Sequence, residues 1–114
     1  MANFRNTLPS NLQAEIEKLG RLQITERDER LLFQGEPAEQ IGYILSGRAK
    51  AVSFSVDGVE TWLGHFEPGE FFGHTAFLTD SPVRFEVSAE DTMRLRLIPA
   101  NEIRALLDLS LIHI

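Results

Sequence analysis

The sequence predicts a β-rich α+β domain, a double-stranded β-helix of the jelly-roll kind flanked by short N- and C-terminal helices. Three observations predict it. Apolar and polar residues alternate in about eight short runs through the middle of the chain, the period of half-buried strands. Turn residues separate these runs roughly every eight to twelve positions, the rhythm of a sandwich or barrel. Helical spacing, apart from one short turn, is confined to the two ends.

The elements follow in order. Ser10 and Gln13 have the capping-box spacing, Leu12, Ile16 and Leu19 recur at helical intervals, and Gly20 supplies a stop, so a short amphipathic helix opens the domain. From Leu22 and Ile24 the period becomes two. Leu31 and Phe33 continue it, with a turn around Gly35 and Pro37. Strands are expected over 41–46 and 49–56, separated by Gly47. Asp57-Gly58 is a hairpin signal of the type I′ kind, which needs positive φ at both positions. Its partner strand is 60–66, closed by Pro68-Gly69. Phe71-Phe72 is a brief strand, and 75–78 one helical turn before Asp80, Ser81 and Pro82. Val83, Phe85, Val87 and Ala89 alternate with Arg84, Glu86, Ser88 and Glu90, which reads as one half-buried strand. A last strand is expected over 93–98 and a helix over 101–109. Closed on itself, this set makes a cupin-like barrel.

At 114 residues the chain fits one domain, and 43% hydrophobic with 25% charged residues is ordinary for a globular protein. No apolar run approaches the roughly 20 residues that cross a bilayer as a helix. The first ten residues hold no apolar stretch after Arg5, so a secretory signal is not expected. There is no cysteine, which excludes disulfides and thiolate chemistry and suits a cytoplasmic location. A net charge of −6, with two lysines far apart and the arginines scattered, argues against direct nucleic-acid contact by this piece.

Two stretches carry a resemblance. Residues 31–49, LLFQGEPAEQIGYILSGRA, and residues 69–76, GEFFGHTA, resemble the first signature and the opening phosphate-binding cassette of cyclic nucleotide-binding domains. With the hairpin between them the resemblance covers most of residues 8–108. The nearest branch is the Crp/Fnr type of transcription regulator. The resemblance implies a small-molecule effector held by Phe72, Gly73, His74, Thr75, Ala76, Arg84 and Phe85, possession of a jelly-roll fold, and a regulatory role in which ligand repositions the C-terminal helix. No cofactor is expected beyond a cyclic nucleotide or other small effector.

The cassette departs from the family pattern twice. His74 stands where the family has a glutamate that accepts from the ribose hydroxyl. The family's arginine follows the proline directly, whereas Val83 follows Pro82 here and Arg84 comes one residue late. On a strand a one-residue shift changes face, which turns the guanidinium away from the pocket unless a bulge intervenes. Weak or no binding of cyclic AMP and cyclic GMP is the expectation, because a phosphate would lose water without full compensation.

Catalysis is not expected. No paired carboxylates, nucleophile elbow or Walker loop occurs, and His65, His74 and His113 do not have the spacing of helical zinc ligands, so no metal site is expected. Tyr43 and Trp62 read as core or barrel-end packing. The domain is assigned to 1–108, with the apolar 109–114 read as a truncated or non-native tail. The alternative function is a ligand-free module that forms a homodimer or docks a partner through Ile103, Leu106 and Leu107.

Overall fold

The computed structural model describes residue 14 and residues 17–108. Ala14 and residues 17–19 are helical, as expected, and the remainder of the opening helix and the 109–114 tail lie outside the described residues. The strands are β1 (Arg21–Thr25), β2 (Arg30–Leu32), β3 (Gln40–Ser46), β4 (Ala49–Phe54), β5 (Glu60–Phe66), β6 (Phe71–Phe72), β7 (Glu86–Ala89) and β8 (Met93–Pro99). Helix α1 (His74–Thr79) interrupts them after β6, and α2 (Ala100–Asp108) follows β8.

The strands form two antiparallel four-stranded sheets, in the orders β1-β8-β3-β6 and β2-β7-β4-β5. This is the jelly-roll arrangement that the alternation predicts. The inner faces carry the apolar set: Ile41, Ile44, Phe71, Phe72, Val87, Met93, Leu95 and Ile98 are all at most 1% exposed. Burying side chains of this size stabilises a fold by about 1.5–3 kcal/mol each before entropy is counted. Phe72 lies flat against β3 because its partner in the ladder is Gly42, where a Cβ would overlap the Phe72 ring. One small residue therefore seats the aromatic that ends β6 and leads into α1.

Four local expectations are corrected. The strand predicted from Val83 begins only at Glu86, because the chain bends at 84–85. Val83 instead exchanges backbone hydrogen bonds with the turn before β3: its N–H donates to the Glu36 carbonyl at 2.8 Å, and its carbonyl accepts from the Gly35 N–H at 2.7 Å. The 57–58 hairpin is not type I′. Gly58 has φ 81° but Asp57 is not left-handed, and the Ser55 N–H donates to the Val59 carbonyl at 3.0 Å across a three-residue loop with glycine at its left-handed position. Trp62 is not core: it is 43% exposed, with its ring N–H donating to the Gly64 carbonyl, whereas Tyr43 does pack, 4.6 Å from Phe71. Ile103 is fully buried against the barrel, so it offers nothing to a partner chain; the side chains of Leu106 and Leu107 lie outside the described residues. No helix among the described residues is long and apolar enough to cross a membrane.

Candidate ligand-binding site

Three segments converge on one cavity of about 440 Å³. The passage from β6 into α1 contributes Phe72, Gly73, His74, Thr75, Ala76 and Thr79. The return from α1 contributes Ser81, Pro82, Val83, Arg84 and Phe85, and the floor is completed by Leu32 of β2 and Phe66 of β5. All seven residues singled out from the sequence line this one cavity.

Gly73 makes the turn that places them. Its φ is 87°, a left-handed conformation, and a Cβ there would meet the Gln40 carbonyl oxygen at 2.6 Å. The glycine thus allows the chain to leave β6 hard against β3 and enter α1 at once. The structural demand on Gly73 is complete without any ligand. Helix α1 has six residues, so its dipole is small, but the amides of its first turn have no carbonyl four residues earlier within the helix. Its far end is closed by Asp80, left-handed at φ 53°, and by the Ser81 N–H donating to the Ala76 carbonyl at 3.0 Å.

The expectation that Arg84 turns away from the pocket rests on strand alternation, and the bend at 84–85 removes that ground. Strand alternation does not operate there, and Val83, Arg84 and Phe85 line the cavity in succession. Val83 is buried, Phe85 is half-buried 6.3 Å from Phe66, and Arg84 is an exposed residue of the lining. Arg21, Arg30 and Arg48 each pair with a glutamate, whereas Arg84 has no ion pair with any described residue. Thr79 and Ser81 were not found from the sequence, since nothing in an isolated hydroxyl signals a cavity. Their hydroxyls donate to the Thr75 and Thr79 carbonyls at 2.8 and 3.3 Å, which leaves lone pairs for a ligand's donors.

His74 is 8% exposed, and its Nδ1 is sealed from water with no hydrogen-bond partner among the described residues. Burial lowers its pKa from the ordinary 6.5, so the ring is neutral at physiological pH. The unfolded chain then takes up a proton near pH 6.5 that the folded chain accepts only at lower pH, so this group's contribution to stability falls as pH drops through that window. Urea unfolding at pH 7.5 and 5.5 is expected to show a smaller loss for His74→Gln than for the native chain; parallel losses would contradict the burial of the ring. Among the described residues no cluster of three or more histidines and carboxylates forms a metal site.

The family model of the cyclic nucleotide-binding domain matches residues 22–110. The chain belongs to the cyclic nucleotide-binding domain family. No curated protein sequence matches it. Among solved structures it is similar to CLP of Xanthomonas campestris, described as a c-di-GMP responsive global regulator, with TM-score 0.72 and 21% identity over 90% of this chain and 49% of that one. It is likewise similar to the catabolite activator protein of Thermus thermophilus, with TM-score 0.72 and 18% identity over 92% and 49%. A third likeness is to the regulatory subunit of a cAMP-independent protein kinase A from Trypanosoma cruzi, bound to guanosine, with TM-score 0.73 and 19% identity over 89% and 36%. The chain spans about half the length of the first of these. These structures establish the jelly-roll fold of cyclic nucleotide-binding regulators for this domain.

Proposed function

We propose that this domain is the effector-sensing part of a Crp/Fnr-type transcription regulator in the cytoplasm, and that its cavity takes a small anionic effector. One observation carries the reading: one cavity is lined by every cassette residue, among them an exposed arginine with no carboxylate partner among the described residues. Its volume is within the usual range for small-molecule sites, and its walls are mostly apolar. Cyclic AMP and cyclic GMP bind weakly in this reading, because a neutral histidine occupies the glutamate position. That Xanthomonas campestris CLP responds to c-di-GMP, and that the trypanosomal subunit is cAMP-independent, supports a fold whose effector is not set by its outline alone.

Transmission to the rest of the regulator runs through α1 and α2. Phe77 of α1 packs beneath the Arg104 guanidinium of α2, 4.9 Å from its ring centre, so a shift of the cavity wall is felt at the C-terminal helix. Ligand then acts as a population shift, bounded by its differential affinity for the two arrangements. The alternative of docking through α2 loses one of its three residues to the core, since Ile103 is buried.

Methyl-resolved NMR during titration with adenosine 5′-phosphate or cyclic AMP tests the location. Shifts are expected at Leu32, Thr75, Ala76, Thr79 and Val83, and not at the distant exposed Leu22, Ile24, Val56 and Val59. Shifts confined to the second group, or none at millimolar nucleotide, would overturn it.

A further inference from the structure

We propose that the cavity selects a phosphate monoester dianion, of the nucleoside 5′-phosphate class, over a cyclic phosphodiester. The inference deepens the sensing role above and rests on it.

The chain has 17 acidic residues, and an even spread would put about two of them on a wall of this size, yet among the described residues none lines the cavity. The acidic residue nearest in sequence is turned elsewhere. Asp80 stands between the lining residues Thr79 and Ser81, but it faces the smaller cavity beside α2, in company with Arg104. Its backbone holds a left-handed φ of 53°, which residues with a Cβ seldom adopt. Glu86, the next carboxylate after Arg84, is taken up by Arg30 at 3.4 Å. Among the described residues, Arg84 therefore shares its cavity wall with no carboxylate.

A cyclic phosphodiester carries one negative charge, and a phosphate monoester carries nearly two at neutral pH and above. The second charge strengthens attraction to the guanidinium, whose fork matches two terminal phosphate oxygens, and it meets no carboxylate on the wall. Desolvation opposes the dianion. The exposure of Arg84 keeps that cost down, because a phosphate at the mouth retains part of its water. Deeper in, the half-buried Phe85 gives a planar apolar body a surface, and the lone pairs of Thr79 and Ser81 accept from its hydroxyl or amino groups.

Calorimetric titration with adenosine 5′-phosphate and 3′,5′-cyclic AMP, at about pH 8 where the monoester is fully dianionic, tests this. The native domain is expected to bind the monoester at least about tenfold more tightly. His74→Glu brings a carboxylate to the wall and is expected to erase most of that preference, while His74→Gln retains it. Thr75→Glu does the same from an exposed lining position in the first turn of α1, where an acidic residue is tolerated by the fold. A preference that survives Thr75→Glu unchanged, or equal binding of the two nucleotides by the native domain, overturns the dianion class. If cavity methyls still shift with either nucleotide, the sensing role stands without it; if neither nucleotide binds and no cavity methyl moves, both fall together.

Discussion

Replacing Gly73 with alanine is expected to cost the domain roughly 2–4 kcal/mol, a large share of the 5–15 kcal/mol typical of whole domains. Two effects add at this position. The backbone is left-handed, and a Cβ would stand 2.6 Å from the Gln40 carbonyl oxygen, inside any real contact. Relief requires β3 and the start of α1 to separate, which disturbs the seat of Phe72 on Gly42 as well. Gly35→Ala is the control that separates the effects. Gly35 has nearly the same φ, 86°, but nothing lies within 4 Å of its Cβ. Its loss is expected near 1–2 kcal/mol, the left-handed penalty alone. Urea unfolding of both variants gives the comparison, and equal losses would remove the steric account of Gly73.

Much of this fold is legible in the sequence because its elements are local. Period-two alternation gives β3, β4, β5 and β8 to within a residue or two, and helical spacing gives α2. The cassette residues were also legible, through resemblance, since 69–76 is contiguous and contains its own turn glycine. What sequence reasoning missed was non-local. The alternation from Val83 to Ala89 looks like one strand, and only the bonds from Val83 to the distant Gly35–Glu36 turn reveal the bend. That bend decides the position of Arg84, so parity was applied where no strand exists. The 57–58 turn failed for a smaller reason: Asp-Gly suits both a two-residue and a three-residue loop, and the Val59 amide, bonded to the Ser55 hydroxyl at 3.1 Å, accompanies the wider one. Trp62 reads as packing because it falls within a strand, but β5 has its exposed end there. Thr79 and Ser81 enter the site only because the C-terminal end of α1 folds back over the cavity.

The central claim is that an anion is held at the mouth of this cavity by Arg84. Arg84 is exposed and has no ion pair with a described residue, so its removal is expected to leave the fold's stability within about 0.5 kcal/mol. Its effect on binding is expected to be much larger. A hydrogen bond to a charged group contributes about 1.5–3 kcal/mol, and the low end applies to a partly solvated guanidinium, which corresponds to a ten- to thirtyfold loss of affinity. The most direct measurement is calorimetric titration of the native domain and Arg84→Ala with the tighter-binding of adenosine 5′-phosphate and cyclic AMP, at low and at moderate salt. The account predicts at least about tenfold weaker binding in the variant and a shallower salt dependence, with unfolding unchanged. Equal affinity in the two proteins would contradict it, and would mean that no anion is held where Arg84 stands.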